Sequence, residues 1–90
     1  MVKQKTSPEN TGKESISSMR KLILHNDDVN TFDFVIQSLI EVCKHEPEQA
    51  EQCAMIVHYK GKCTVKTAPY KEIAYICMEL INRGLSATIL

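Results

Sequence analysis

The hydrophobic period of this chain changes abruptly between His25 and Phe32, and that change sets most of what the chain can fold into. Arg20-Lys21-Leu22-Ile23-Leu24-His25 is a short run, apolar at its centre, that suits a strand better than a helix. From Phe32 onward, Phe32, Val35, Ile36, Leu39, Ile40 and Cys43 follow the i, i+3, i+4, i+7 spacing of one helical face. The switch is bridged by His25-Asn26-Asp27-Asp28-Val29-Asn30, the densest polar and acidic cluster in the sequence. Asn and Asp are what a strand-to-helix turn uses to cap the next helix. The same side chains also offer many oxygen acceptors to a ligand with N–H donors or positive charge.

The remaining chain continues in this alternating manner. A first helix is predicted from about Thr31 to Lys44, with Asn30 as its N-cap and Asp33 near the positive end of the dipole. Glu46-Pro47-Glu48 restarts a helix, because Pro is tolerated in a first turn and acids belong there. Ala50, Cys53, Ala54, Val57 and His58 share a face of this second helix, which ends near Gly61. Lys62-Cys63-Thr64-Val65-Lys66 alternates and is partly β-branched, as a second strand should be. Thr67-Ala68-Pro69 is expected to open a third helix with Ile73, Ile76, Cys77, Leu80 and Ile81 on its apolar face, closed by Arg83-Gly84. Leu85 to Leu90 reads as a final strand. The order β-α-α-β-α-β predicts an α+β fold, a two-layer sandwich in which three helices cover one side of a three-stranded antiparallel sheet. Pairing of the first two helices would carry His58 towards Asn26 and Asp28.

Ahead of this core, residues 1–18 are rich in Lys, Glu, Ser, Thr and Asn, and Met1, Val2 and Ile16 are their only bulky apolar side chains. Such a segment cannot offset its ordering entropy by burial, so it is expected to be a disordered arm before a core domain over residues 19–90.

Composition narrows the function classes. Eleven basic residues balance eleven acidic ones in a chain of 90, and no basic run or interleaved aromatic stripe appears, so nucleic acid and anionic membrane are poor partners. No apolar stretch approaches the roughly 20 residues of a membrane span and no signal-like segment opens the chain, which points to the cytoplasm. Cys43, Cys53, Cys63 and Cys77 are widely spaced without a C-x-x-C pair, and are expected as reduced core thiols rather than disulfides. Cys43, His45, Cys53 and His58 lack the close ligand pairs of zinc sites, and neither a metal nor another cofactor is expected. Asp27 or Asp28 with His58, and Cys53 or Cys63 as nucleophile, is the best hydrolytic arrangement on offer. The cysteines fall inside predicted elements, so a non-enzymatic role is expected.

Binding uses these residues better. A protein N-terminus is a cation with three N–H donors, and a carboxylate, an amide oxygen and a neutral imidazole nitrogen match it. Asp28, Asn26 and His58 supply that set, while Leu24, Phe32, Val35, Ala54 and Val57 offer an apolar lining for a first side chain, although residues at helical spacing are also what core packing uses.

Lys21-Leu22-Ile23-Leu24-His25-Asn26-Asp27-Asp28-Val29-Asn30-Thr31-Phe32-Asp33-Phe34-Val35, the later Val57-His58-Tyr59-Lys60-Gly61-Lys62 and the closing Gly84-Leu85-Ser86-Ala87-Thr88-Ile89 closely resemble the bacterial ClpS adaptor family. That resemblance covers about residues 20–90. It implies a monomeric adaptor that binds N-degron peptides with a free α-amine and a first residue Leu, Phe, Tyr or Trp. The adaptor would deliver such substrate proteins to the N-terminal domain of a ClpA- or ClpC-like AAA+ unfoldase, with the flexible arm used in delivery. It further implies that Asn26, Asp28 and His58 hold the amine, that Asp27 supports the loop, and that Leu24, His25, Asn30, Thr31, Phe32, Val35, Ala54, Val57 and Leu85 surround the side chain. Phe32 and Ala54 depart from the family, which often has Met at both positions. The rival reading is a generic α/β interaction module, ribosomal-stalk-like, that ignores the peptide N-terminus.

Overall fold

β1 (Met19–His25) is the middle strand of a three-stranded sheet, with β2 (Lys62–Pro69) on one side and β3 (Ser86–Ile89) on the other, both antiparallel to it. The computed structural model describes residues 19–90, and the arm expected over residues 1–18 lies outside them. Strand alternation decides which face is covered. Leu22 and Leu24 of β1, Val65 and Ala68 of β2 and Ala87 of β3 are buried, whereas Lys21 is exposed and Ile23 and His25 are only partly covered. The buried face packs against α1 (Phe32–Cys43), α2 (Pro47–Lys60) and α3 (Tyr70–Asn82). This is the α+β two-layer arrangement, in the order β-α-α-β-α-β, that the hydrophobic periods predict. Leu39 and Cys43 of α1, Ala50 and Val57 of α2, and Ile73, Ile76, Cys77 and Leu80 of α3 complete the core.

A register shift between Leu22 and Ile23 places Leu22 opposite Lys66 and Ile23 opposite Thr64, so Val65 is the extra residue of a β-bulge. Its carbonyl accepts from Nε2 of the buried His45 at 2.6 Å. A carbonyl only accepts, so Nε2 carries the proton and His45 is a structural histidine, locking the α1–α2 corner to the bulge.

Two boundaries differ from expectation. The N-cap of α1 is Thr31, not Asn30: Thr31 has extended backbone (φ −73, ψ 158) and its hydroxyl accepts from the Phe34 N–H at 3.1 Å. Asn30 is one residue too early for that bond, and its side chain is used elsewhere. Thr67, Ala68 and Pro69 belong to β2 rather than to the third helix, because they pair with Lys21, Arg20 and Met19. Local signals favoured a helix opening at Pro69, but β1 extends far enough to capture these residues in the sheet. Pro69 takes the last strand position and then becomes the N-cap of α3.

Candidate functional site

The polar loop after β1 is held at both ends and in its middle. Where β1 leaves the sheet, the Asn26 N–H donates to the Gly61 carbonyl at 2.9 Å. Gly61 has positive φ (95°), which favours glycine, and it ends α2 one turn after Val57, whose carbonyl accepts the Gly61 N–H. This bond ties the strand exit to the last turn of α2, where His58 stands. At the other end, the Asn30 side-chain amide donates to the Gly84 carbonyl at 2.9 Å, linking the loop to the turn between α3 and β3. Asp27 organises the middle: Oδ1 accepts from the N–H groups of Val29 (2.9 Å) and Asn30 (2.8 Å), and Oδ2 accepts from the Asn30 side chain (3.0 Å). The Asn30 backbone N–H, followed by its side-chain amide, holds the Asp27 carboxyl below its usual pKa; partial burial opposes the shift and Val29 adds to it.

With Asp27 engaged in the loop, Asn26, Asp28 and His58 remain exposed, and among the described residues none of their side chains has a hydrogen-bond partner. They line one cavity of about 650 Å³ together with Asp27, Asn30, Phe32, Val35, Ala54, Val57, Met55 and Tyr59. The cavity is therefore walled by the loop, the start of α1 and the last two turns of α2. Its floor is apolar and partly continuous with the core, since Ala54 and Val57 are buried, while Phe32 is 41% exposed at the rim. The Tyr59 ring meets the His58 ring edge-on, with centroids 4.9 Å apart and an interplanar angle of 79°.

Four residues expected around the side chain do not line this cavity. Leu24 is 1% exposed and faces the core, as strand alternation requires. Thr31 caps α1. His25 points to the other side of the sheet, where Nε2 meets the Thr88 hydroxyl at 2.7 Å, and it lines a second hollow with Leu85, Ile81, Ser86, Ala87 and Thr88. Conversely, Met55 and Tyr59 were not expected. Their signal is helical spacing, since Met55 lies three residues before His58 and four before Tyr59 on α2.

Three of the four thiols are shifted towards their neutral form. Burial pushes the Cys43 thiol up to about 11 and the Cys53 thiol up to about 12, with the neighbouring Cys63 adding to the latter, and burial also raises Cys77. Among the described residues no group of three His, Cys, Asp or Glu side chains is placed to hold a metal ion, and no helix is long and apolar enough to cross a membrane. What the cavity offers is a set of oxygen and nitrogen acceptors above an apolar floor, complementary to a cationic donor that carries a hydrophobic group.

Comparison with known proteins gives a consistent picture. The model of the family described as ATP-dependent Clp protease adaptor protein ClpS matches residues 15–88. Relatives named ATP-dependent Clp protease adapter protein ClpS include one from Synechococcus elongatus, 31% identical over 91% of this chain and 87% of that protein. Another, from Nitratidesulfovibrio vulgaris, is 43% identical over 60% of this chain and 56% of that protein. A third, from Salmonella arizonae, is 41% identical over 73% of this chain and 61% of that protein. The chain thus spans less than two thirds of the length of the latter two. The solved structure of Agrobacterium tumefaciens ClpS2 bound to L-phenylalaninamide has a TM-score of 0.77 to this chain at 22% identity, covering 81% of this chain and 95% of that one, a likeness that shows the fold.

Proposed function

This chain belongs to the ClpS family of ATP-dependent Clp protease adaptor proteins, and from that premise we propose that it is a non-enzymatic adaptor. In this reading it binds substrate proteins by a free α-amine and a bulky apolar first residue (Leu, Phe, Tyr or Trp) and hands them to the N-terminal domain of a ClpA- or ClpC-like unfoldase. The observation that carries the reading is the meeting of His58, from α2, with Asn26 and Asp28, from the loop after β1, at one exposed cavity mouth. Asp28 supplies the charge for the ammonium, and Asn26 Oδ1 and a neutral His58 nitrogen supply the other acceptors. Asp27 positions the loop through its three hydrogen bonds. Phe32, Val35, Ala54 and Val57 contact the first side chain, with Asn30 at its edge. Leu24 and Leu85 act from behind as part of the same hydrophobic cluster as Val57, and Thr31 acts by fixing the start of α1. The ligand of the Agrobacterium neighbour, L-phenylalaninamide, has the same two features, a free α-amine and an apolar side chain.

The energies agree with a carrier that must release its cargo. Charge-assisted hydrogen bonds contribute about 1.5–3 kcal/mol each, and burying a Leu or Phe side chain about 1.5–3 kcal/mol. Three such bonds and one side chain total about 6–12 kcal/mol, so against an association cost of at least about 4 kcal/mol the surplus reaches micromolar binding at the tightest. The test is a set of peptides identical except at the first residue, titrated against the full chain. Leu, Phe, Tyr or Trp should bind at least about tenfold more tightly than Ser, Glu or Lys, a ratio of about 1.4 kcal/mol. Indifference to the first residue would favour the generic interaction module instead.

A further inference from the structure

The cavity is larger than one residue requires. A benzyl side chain displaces roughly 200 Å³, taking about 30 Å³ for each water-sized group, against a cavity of about 650 Å³. The lining also contains two large side chains that the amine and the first side chain leave unused, Met55 and Tyr59. They stand one turn apart on α2 and are 45% and 74% exposed. Unlike Ala54 and Val57, which are buried, they are open to solvent while lining the same cavity. One exposed apolar side chain is unremarkable on a soluble protein. Two on one turn of a ligand-binding cavity make a contact surface.

Their position relative to His58 says what they would touch. The Tyr59 ring lies edge-on to the His58 ring at 4.9 Å, so the apolar ledge begins where the proposed amine acceptors end. An extended peptide advances about 3.3–3.6 Å per residue. A peptide held by its amine at His58 therefore brings its second residue within reach of this ledge. Resting on the N-terminal recognition proposed above, we infer that Met55 and Tyr59 form a subsite for the second side chain of the bound peptide, favouring aromatic and long aliphatic residues. A thioether beside an aromatic ring suits such groups: sulfur and ring edges attract one another, and an offset or edge-on ring partner is available from Tyr59. The ledge is half open, so the expected gain is that of partial burial, smaller than that of the first side chain.

The experiment is a second peptide series with Phe fixed at the first position and Gly, Ala, Leu, Phe or Asp at the second, titrated against the full chain. Leu and Phe at the second position should bind about five- to tenfold more tightly than Gly. In Met55→Ser, and more fully in Met55→Ser/Tyr59→Ser, that ratio should fall to within about twofold, whereas Tyr59→Phe, which keeps the ring, should preserve it. Folding of each variant is checked by circular dichroism, and the single Met55→Ser variant, at an exposed position, retains the test if the double variant fails to fold. Equal affinity for all second residues, with first-residue discrimination intact, overturns the subsite and leaves the N-terminal reading standing. A preference that survives in folded Met55→Ser and double variants also overturns it. Loss of first-residue discrimination in the wild-type protein overturns the underlying reading as well.

Discussion

Asp27 is the residue through which the loop geometry is most directly tested. Asp27→Ala removes three hydrogen bonds of 2.8–3.0 Å, two from backbone N–H groups and one from the Asn30 amide. A hydrogen bond to a charged group contributes about 1.5–3 kcal/mol. Val29 is exposed, so its freed N–H regains water, and the partly covered Asn30 N–H does so incompletely. The expected loss is therefore about 1–2 kcal/mol rather than the sum of three bonds. For a domain of this size that corresponds to a fall in Tm of roughly 4–16 °C. If the ordered loop is the binding-competent state, the same loss weakens peptide affinity by at most about five- to thirtyfold. Asp27→Asn should recover part of both, because an amide oxygen still accepts from the two backbone groups while its nitrogen opposes the Asn30 donor. The depressed carboxyl pKa adds a sign. The unfolded carboxyl binds protons more readily than the folded one, so this stabilisation is fully present above the ordinary value of 3.8 and is lost as pH falls below it. Thermal unfolding by circular dichroism and peptide titration by calorimetry measure the two effects. Unchanged Tm and unchanged affinity in Asp27→Ala would refute the role given to the loop.

Other expectations follow from particular contacts. Thr31→Ala should cost about 1 kcal/mol, the usual value of a lost N-cap, seen as a lower denaturation midpoint with unchanged slope. An equal or larger loss in an Asn30→Ala variant with Thr31→Ala silent would return the cap to Asn30. Cys43 and Cys53, held near 11 and 12, should resist alkylation in the native protein at pH 8 and react only as pH approaches those values or after unfolding. Because these thiols bind protons more tightly folded than unfolded, they contribute stability that is whole below about pH 9 and declines as pH rises through 9 towards 11. Rapid modification of both at pH 8 in folded protein, followed by mass spectrometry, would contradict the raised values of these thiols.

How much of this was legible in the sequence depended on whether the signal was periodic. Element order and the core faces of α1 and α3 were, because Val35, Leu39 and Cys43, and Ile73, Cys77 and Leu80, recur with the helical period. The end of β2 was not, since Thr67-Ala68-Pro69 carries a helix-start signal locally and becomes strand only through pairing with β1. Nor was the N-cap, because Asn30 and Thr31 are both good caps and the choice fell to Asp27 and the Gly84 carbonyl, which take up the Asn30 amide. At the site, residue types singled out Asn26, Asp28 and His58, which line one cavity, but strand alternation turned Leu24 inward and His25 to the far face, and Met55 and Tyr59 of the same lining are exposed. Those are facts of side-chain direction, which depend on where each element meets its neighbour.

The central claim is that a free α-amine is what the cavity mouth recognises, and one paired measurement bears on it directly. Two Phe-initiated peptides, identical except that one is acetylated at its α-amine, are titrated against the full chain at neutral pH. Acetylation removes the positive charge and two of the three N–H donors, so at least two charge-assisted bonds of about 1.5–3 kcal/mol are lost. The expected result is at least about a hundredfold weaker binding of the acetylated peptide. Affinities within about threefold of each other would contradict the assignment of Asn26, Asp28 and His58 to the amine.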